Sequence, residues 1–255
     1  MSANKETEFY DVAIIGAGPA GCTCALALKD AGLKVLLIDK AMFPRDKVCG
    51  DAIPGRAIKT LKSMSPEYGA AFANFPHQYK TLQTKIFFNK QELCFTWVQE
   101  AYTCTRFEFD NFLFNMVKQN TNTTILTDTQ IEGIEQGTNA ISFTANNKSR
   151  SYCTKILVGA DGAHSIVAKQ LSTNIIDRKH YGASVRAYYE NVAGMNANTT
   201  EVYYDKDFLP SYLWVFPLPG NKANVGFGMV SAEIVKRKIN LKKTFSHLLK
   251  NTQKP

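Results

Sequence analysis

The chain has 255 residues, of which 45% are hydrophobic and 20% are charged. This balance is typical of a globular protein and excludes a disordered or fibrous class. No apolar run approaches the roughly 20 residues of a membrane-spanning helix, and the polar N-terminus lacks the apolar stretch of a secretory signal. We therefore expect a cytoplasmic protein. The net charge of +8 suits an anionic ligand, substrate or lipid surface without choosing among them.

The side-chain inventory argues against metal and nucleic-acid sites. The six cysteines, scattered from Cys22 to Cys153, show neither the paired spacing of a zinc site nor a disulfide framework. The cationic side chains are spread along most of the chain, and no nucleic-acid-binding module accompanies them. We predict no metal ion and no nucleic-acid partner.

The first elements of the chain form a strand, a glycine turn and a helix. The apolar run 10–15 is followed by Gly16-Ala17-Gly18-Pro19-Ala20-Gly21 and then by helix formers over 22–28. In such a unit Gly16 permits the tight turn, Gly18 lets a pyrophosphate approach the backbone, and Gly21 lets the helix pack closely on the strand.

A second strand, over 34–38, supports the same interpretation. It ends in Asp39, whose carboxylate is placed to accept hydrogen bonds from an adenosine ribose. Because strand, helix, second strand and acid agree, the pattern predicts a dinucleotide-binding fold. A plain structural turn is the alternative.

The rest of the chain alternates between this fold and a separate sheet. Gly32 is expected to close the first helix, and residues 41–54 form a long loop. Helix signals return over 55–64, after which Pro66 and Gly69 interrupt the pattern. The later predicted elements are hairpin strands at 81–88 and 93–97, a helix over 105–117, a strand at 124–126, an antiparallel meander over 130–134, 140–145 and 149–152, a buried strand at 155–158, further strands between 181 and 229, and a basic helix over 240–249.

These elements predict an α/β protein with two interleaved domains. We place the nucleotide-binding domain at 1–75 and 101–172, the sheet domain at 76–100 and 173–235, and a helical tail at 236–255. The tail carries Phe245 and Leu248 on one face, so it can touch a membrane or pack on protein. We favour packing on a further part of the protein beyond residue 255.

Five motifs resemble the FAD-dependent oxidoreductases typified by aromatic-ring hydroxylases, and most closely the geranylgeranyl reductase family. The resemblance covers nearly the whole chain. The motifs are Gly16-x-Gly18-x-x-Gly21 with Asp39, Pro44-Arg45-x-Lys47-x-Cys49-Gly50-Asp51-Ala52, Arg106-x-x-Phe109-Asp110-x-x-Leu113, Gly159-Ala160-Asp161-Gly162-x-x-Ser165, and Tyr212-Leu213-Trp214-Val215-Phe216-Pro217. The Cys-Gly loop and the aromatic segment are the more specific pair, because the hydroxylases share the other motifs.

The resemblance implies a Rossmann-type FAD-binding domain, a parallel sheet with a β-meander, interleaved with a mainly antiparallel substrate-binding sheet. It implies FAD as cofactor and either NAD(P)H or a ferredoxin-type protein as electron donor. The implied cofactor-binding residues are Gly16, Gly18, Pro19, Ala20, Gly21, Asp39, Lys40, Arg45, Cys49, Gly50, Arg106, Gly159, Asp161 and Gly162.

Several of these residues have an alternative role. Arg106 matches the family arginine near the flavin, although a surface ion pair with Glu108 or Asp110 is the alternative. Arg45 would neutralise phosphate charge or simply be solvated. Asp161 would orient the pyrophosphate through backbone or water contacts, since direct contact between two anions is repulsive.

Cys49 is the candidate catalytic residue. The resemblance places this cysteine beside the flavin ring and the substrate, where its thiol would line the pocket or donate a proton during alkene reduction. An inert buried thiol is the alternative.

The aromatic segment is the candidate substrate site. Tyr212, Trp214 and Phe216 alternate and therefore share one face of a strand. With Gly226 we expect them to bind an isoprenoid or another apolar small molecule, whereas ordinary sheet core is the alternative.

The chain departs from the family pattern at two points. The family has an arginine seven residues after Asp161, where this chain has Ala168, which weakens any expectation about docking of a nicotinamide donor. Nothing after Gly162 matches the later Gly-Asp segment that covers the flavin in the family. We therefore expect that the C-terminal part is missing and that the chain is a fragment.

The resemblance leaves three functions open. The first is reduction of C=C bonds in a prenyl chain of a lipid or prenyl diphosphate, with peripheral contact to a membrane. The second is an aromatic monooxygenase or halogenase of the same fold. The third is a non-catalytic module that binds a flavin or an isoprenoid.

Overall fold

The computed structural model describes residues 7–146, 149–173, 177–196 and 198–251. The ends of the predicted domain ranges, 1–6 and 252–255, lie outside the described residues. The chain divides into two compact units. The first comprises Met1–Asp46 and Phe107–Ile175, and the second comprises Lys47–Arg106 and Ile176–Pro255.

The described residues contain strands and helices in an alternating order. The strands are β1 (Glu8–Ile15), β2 (Val35–Ile38), β3 (Ala52–Ile53), β4 (Tyr79–Phe88), β5 (Gln91–Thr103), β6 (Thr124–Leu126), β7 (Ile131–Gln136), β8 (Ile141–Ala145), β9 (Arg150–Gly159), β10 (Gly182–Glu190), β11 (Thr199–Tyr204), β12 (Tyr212–Leu218) and β13 (Lys222–Val230). The helices are α1 (Pro19–Ala27), α2 (Gly55–Met64), α3 (Pro66–Ala73), α4 (Arg106–Asn120), α5 (Ile166–Leu171), α6 (Ser231–Lys236) and α7 (Leu241–Asn251).

The first unit is built on a six-stranded sheet in the order β6-β2-β1-β9-β8-β7. The pairs β6–β2, β2–β1 and β1–β9 are parallel, and β9–β8–β7 is an antiparallel meander. Residues 12–15 and 35–38 are all buried, as expected for parallel strands covered on both faces. The strands predicted at 149–152 and 155–158 are one continuous strand, β9. Its residues 150–154 pair with β8 and its residues 152–159 pair with β1.

The second unit is built on a seven-stranded sheet in the order β10-β13-β12-β11-β4-β5-β3. Every neighbouring pair is antiparallel except β11–β4, which is parallel. The hairpin β4–β5 is present, as the sequence predicts. It turns at Asn89 and Lys90, both of which have positive φ. Helix α2 has the predicted bounds.

The sequence missed helix α3. It begins at Pro66, whose fixed φ suits the first helical position, and Ser65 caps it by accepting a hydrogen bond from the Glu67 N–H. The proline that interrupts α2 therefore starts the next helix rather than a loop.

Helix α7 packs on the sheet of its own unit. Phe245 and Leu248 are buried with Leu213, Val225 and Phe227 in one hydrophobic cluster. The apolar face of this helix is thus covered within the chain, which corrects the expectation that a further part of the protein covers it.

The predicted fold class is confirmed, since a parallel sheet with a meander and a mainly antiparallel sheet are interleaved along the chain. Residues 47–75 lie in the second unit, with its sheet. The division into cofactor-binding and substrate-binding domains stays a prediction. Among the described residues no helix combines the length and apolar character needed to cross a membrane.

Candidate functional site

The glycine turn between β1 and α1 is tightly packed. Gly16 has a φ of +103°, and its N–H donates to the Ile38 carbonyl at 2.6 Å. A Cβ on Gly21 would lie 1.7 Å from the Gly16 carbonyl oxygen. Only glycine permits this contact, so the spacing of the motif follows from the packing of helix on turn.

The start of α1 is open to an anion. Its N-cap, Gly18, has no side chain that could accept a hydrogen bond from the first turn. Pro19 lies in that turn, and no acidic residue does. The N–H groups of the first turn of an α-helix lack partners within the helix, and they carry the positive end of its dipole. This arrangement suits a phosphate group.

Asp39 holds the turn from the end of β2. Its buried carboxylate accepts hydrogen bonds from the Ala17 N–H at 2.7 Å and from the Ala41 N–H at 2.9 Å. The neighbouring Lys40 is exposed. Part of the hydrogen-bonding capacity of Asp39 is therefore used by the protein itself, and its predicted contact with a ribose stays a prediction.

Cys22, one turn into α1, is a structural thiol. Its Sγ donates to the Ala17 carbonyl at 3.1 Å. Burial, followed by the charges of Asp110 and Asp39, raises the pKa of this thiol to about 12. It is therefore protonated and unreactive at neutral pH.

Arg45 forms ion pairs within the first unit. Its guanidinium lies 3.0 Å from the Asp110 carboxylate and 3.8 Å from that of Asp39, and its side chain is only 18% exposed. It also stacks over the Phe43 ring, with Cζ 4.7 Å from the centroid. The structure thus differs from the alternative of a solvated Arg45, since Asp110, the acid of the Arg106 motif, accepts from it. The predicted contact of Arg45 with a phosphate stays a prediction.

The glycine turn meets the late Gly-Ala-Asp-Gly motif. A Cβ on Gly16 would lie 2.4 Å from the Ala160 carbonyl oxygen, and the Ala160 N–H donates to the Ile15 carbonyl at 2.8 Å. Ser165 caps α5 by accepting from the Ala168 N–H. Asp161 supports this cap, because it accepts from the Ser165 Oγ–H and the Ile166 N–H, each at 2.6 Å. The glycine turn and the Gly-Ala-Asp-Gly motif therefore form one structural element, and the last glycine of that motif, Gly162, has a φ of +83°. A Cβ on Gly159 would lie 3.0 Å from Val167.

In the second unit, the loop that carries Cys49 packs on the aromatic strand β12. A Cβ on Gly50 would lie 3.3 Å from Phe216 and 3.4 Å from Trp214 Nε1. A larger residue would push on these rings. Gly50 therefore brings the backbone of the Cys49 loop into direct contact with the aromatic side chains.

The predicted aromatic face of β12 exists. The Tyr212 and Trp214 rings lie 6.0 Å apart and the Trp214 and Phe216 rings 6.3 Å apart, whereas Leu213 points into the cluster under α7. A cavity of about 460 Å³ opens here, a size typical of small-molecule sites. Its lining residues are Cys49, Gly50, Gly182, Ala183, Ser184, Pro210, Tyr212, Trp214, Phe216, Gly228, Met229 and Val230.

Gly226 supports this aromatic face and is not among the residues that line the cavity. It pairs with Trp214 across β12 and β13, and a Cβ on it would lie 2.2 Å from Trp214 Cζ2. The missing side chain lets the indole lie flat across the neighbouring strand. Two aromatic residues of the same sheet, Tyr203 and Phe227, lie on the opposite face, in the cluster under α7.

A polar cluster that the sequence did not reveal adjoins the cavity and consists of the buried Asp51, Trp214 and Asn224 and the partly exposed Tyr188. Trp214 Nε1 donates to Asn224 Oδ1, and Asn224 Nδ2 donates to Asp51 Oδ2, both at 2.8 Å. The Tyr188 hydroxyl also donates to Asp51 Oδ2 at 2.8 Å. The sequence showed only one amide, Asn224, in an otherwise apolar strand. Its hydrogen-bond partners cannot be identified before the register of the sheet is known.

Asp51 is the charged member of this cluster. It is 1% exposed and has a φ of +64°, and its Oδ1 accepts from the backbone N–H of Arg106 at 3.3 Å. Burial raises its pKa above the ordinary 3.8, and the hydrogen bonds from Asn224 and Tyr188 offset part of that rise. The Arg106 main chain therefore anchors the Cys49 loop, while the predicted flavin contact of its guanidinium stays a prediction.

Comparison with known proteins places this chain among flavoproteins. Residues 9–218 match the protein family described as FAD binding domain. Menaquinone reductase of Mycobacterium tuberculosis is 29% identical over 232 residues, which cover 87% of this chain and 55% of that protein. Digeranylgeranylglycerophospholipid reductase of Methanococcus vannielii is 28% identical over 229 residues, which cover 88% and 56%. The chain therefore spans about half the length of the curated relatives it matches.

Solved structures show the same fold. A geranylgeranyl bacteriochlorophyll reductase-like protein of Thermoplasma acidophilum aligns with a TM-score of 0.79 and 21% identity, over 97% of this chain and 63% of that one. A halogenase in complex with phloroglucinol and FAD aligns with a TM-score of 0.78 and 19% identity, over 94% and 55%. These findings confirm the predicted resemblance to the geranylgeranyl reductases and FAD as the cofactor.

Proposed function

This chain belongs to the FAD binding domain family, and from that premise we propose that it is an FAD-dependent oxidoreductase that reduces C=C bonds of a prenyl chain, in a lipid or a prenyl diphosphate. The observation that carries the proposal is the cavity of the second unit, where Cys49 and three aromatic side chains line one space. An apolar wall beside a single thiol suits an isolated double bond, which offers no polar group to recognise.

The residues of the first unit fit FAD. The closely packed glycines leave the start of α1 open to a pyrophosphate, and no acidic side chain in its first turn repels the ligand. When bound and reduced, FAD supplies a hydride to one carbon of a double bond. We assign the binding of its pyrophosphate to the N–H groups of the turn, and the assignments of Lys40 and Gly162 to the cofactor remain part of this proposal.

Saturating a double bond consumes two electrons as a hydride and one proton. We propose that the Cys49 thiol gives the proton to the second carbon and regains one from solvent through the cavity mouth. The electrons come from a reduced donor of the nicotinamide or ferredoxin class, which restores the flavin. Tyr212, Trp214 and Phe216 hold the prenyl chain and exclude water from it.

The alternative function is an aromatic monooxygenase or halogenase, which the likeness to the FAD-bound halogenase favours. The cavity does not distinguish an aromatic ring from a prenyl unit, because both are apolar and of similar width. Consumption of oxygen coupled to substrate does distinguish them. Peripheral contact with a membrane stays a prediction.

The test is an anaerobic turnover assay with the purified chain loaded with FAD and reduced chemically. Candidate substrates are geranylgeranyl diphosphate, digeranylgeranylglycerophospholipid and menaquinone, with products analysed by mass for the gain of two hydrogens. We expect saturation of the prenyl chain, a large loss of turnover with unchanged FAD content in Cys49→Ala, and no loss in Cys94→Ala, an exposed thiol that does not line the cavity.

Two outcomes would contradict the proposal. Flavin that is reoxidised in air with hydroxylation or halogenation of an aromatic substrate, and no prenyl saturation, would favour the alternative. Bound lipid without any turnover in the FAD-loaded chain would favour a binding module. Full turnover in Cys49→Ala would restrict the thiol to packing while leaving the reaction in place.

A further inference from the structure

We propose that Asn224 is a positioning residue that fixes the Cys49 loop against the Trp214 indole, so that the thiol and the aromatic wall keep one relative geometry. The expected effect of Asn224 on turnover rests on the proposed function. Its role in fixing the Cys49 loop rests only on the contacts of Asn224.

One amide joins the two parts of the cavity wall. Asn224 Nδ2 donates to the main-chain carbonyl of Cys49 and to the Asp51 carboxylate, both at 2.8 Å. Its Oδ1 accepts from Trp214 Nε1 at 2.8 Å. The same side chain therefore holds the loop that carries the thiol and the largest ring of the aromatic wall.

The position of Asn224 leaves it no other role in the cavity. Its side chain is fully buried and it is not among the lining residues, so it does not touch a molecule in that space. In the interior, a carbonyl or an indole N–H without a partner is costly, which makes the three bonds mutually dependent. Asn224 thus acts through Cys49 and Trp214 rather than on the substrate.

Asp51 reinforces the same geometry from the loop side. Its backbone conformation, with a φ of +64°, turns the chain directly after Gly50, and its carboxylate is held by Asn224 and the Tyr188 hydroxyl. The Asp51 carbonyl also accepts from the Cys104 N–H at 2.9 Å. The loop is therefore fixed on both sides of Gly50, at Cys49 by Asn224 and at Asp51 by the cluster.

The test is Asn224→Asp, which keeps the acceptor for Trp214 and removes both N–H donors. The new carboxyl group replaces an amide that lies 2.8 Å from the Asp51 carboxylate, so at most one shared proton can join these two side chains. The matched control is Asn221→Asp, the same change on the exposed turn between β12 and β13. The readout is the alkylation rate of Cys49 relative to Cys94, measured by peptide mass spectrometry with iodoacetamide on the FAD-loaded chain. We expect the Cys49 to Cys94 ratio to rise about tenfold in Asn224→Asp, equivalent to about 1.4 kcal/mol, and to stay unchanged in the control.

The opposite result is equally definite. A ratio that stays within about threefold of the wild type, or falls, in a folded Asn224→Asp variant overturns the proposal. If that variant does not fold, Asn224→Ser carries the test, because its short hydroxyl cannot bridge the Cys49 carbonyl and Trp214 Nε1. We then expect a ratio above about threefold, and an unchanged ratio overturns the proposal.

Turnover separates positioning from simple packing. With a prenyl substrate we expect kcat to fall in Asn224→Asp while KM changes little, since the apolar wall still binds the chain. A rise in KM with unchanged kcat overturns the positioning role. If the wild type saturates no prenyl chain, the proposed function fails, and the alkylation ratio alone then decides whether Asn224 fixes the loop.

Discussion

Replacing Gly226 by alanine should displace Trp214 from the aromatic wall. The added Cβ would lie 2.2 Å from Cζ2 and 2.6 Å from Cε2 of the indole. An ordinary contact begins near 3.4 Å, so the ring must move by about 1.2 Å. The ring cannot move freely, because Nε1 is hydrogen-bonded to the buried Asn224.

The cost follows from two contributions. Overpacking in a filled sheet costs about 1–3 kcal/mol, and a weakened hydrogen bond between two buried groups adds about 1 kcal/mol. We expect the free energy of unfolding to fall by about 2–4 kcal/mol. For a chain of this size the fall corresponds to a drop in Tm of roughly 5–15 °C.

The assay is thermal unfolding followed by tryptophan fluorescence. The chain has two tryptophans, and Trp97→Phe leaves the buried Trp214 as the only reporter, since Trp97 is 52% exposed and Trp214 6%. We expect a lower Tm and a red-shifted emission in the Gly226→Ala variant. Gly228→Ala is the matched control on the same strand face, because its Cβ would meet Trp214 Cζ3 at an ordinary 3.5 Å. Equal Tm and equal emission in the two variants would refute the reasoning.

Two further predictions concern the cofactor turn and the buried carboxylate. Gly21→Ala should abolish FAD binding, measured by visible absorbance, because its Cβ would lie 1.7 Å from the Gly16 carbonyl. Gly32→Ala is the control: its φ of +68° lowers stability, but nothing lies within 4 Å of the new Cβ, so FAD should be retained. FAD retained by both variants would contradict the assignment. The raised pKa of Asp51 means that the folded chain holds a proton that the unfolded chain releases above pH 3.8. The contribution of Asp51 to the free energy of unfolding is therefore fully present below pH 3.8 and falls as pH rises through the raised pKa. Urea unfolding at several pH values should thus show Asp51→Asn gaining stability relative to the wild type as pH rises from about 4 to 7; a constant difference, or one of the opposite sign, would contradict the prediction.

The parts of the fold that the sequence predicted are those set by local chemistry. The turn at Gly16 needs a positive φ, and the hairpin at Asn89 and Lys90 has a polar turn between alternating strands, so each is visible within a few residues. The sequence did not show that Gly16 and Ala160 are in contact in the folded chain. The family resemblance gave both motifs as cofactor-binding segments and predicted no contact between them.

The remainder depends on register, which a sequence does not display. Asn224 joins the site because β13 places it beside β12 and the Cys49 loop, which precedes it by 175 residues. Arg45 is paired with Asp110, which lies 65 residues later and cannot be recognised as its partner from the sequence. The predicted contact of Arg45 with a phosphate stays a prediction. The sequence pattern divided strand β9 in two, and only the sheet shows that it is continuous, since residues 152–154 pair with both β1 and β8.

The interleaving of the two units has a consequence for how the chain is made. The parallel pair β4–β11 joins Thr84 to Thr200, which are 116 residues apart, and β1 is joined to β9 across 144 residues between Asp11 and Lys155. During synthesis, the first strands of each sheet are therefore complete before their later partner strands have been made, because a segment of the other unit comes between them. Until then, the edge strand of the incomplete sheet is unpaired. Strand pairing between residues so far apart in the sequence slows folding, and unpaired strand edges favour aggregation. No single cut of the chain yields either unit whole, so expression of one unit alone requires joining two segments, such as residues 1–46 to 107–175.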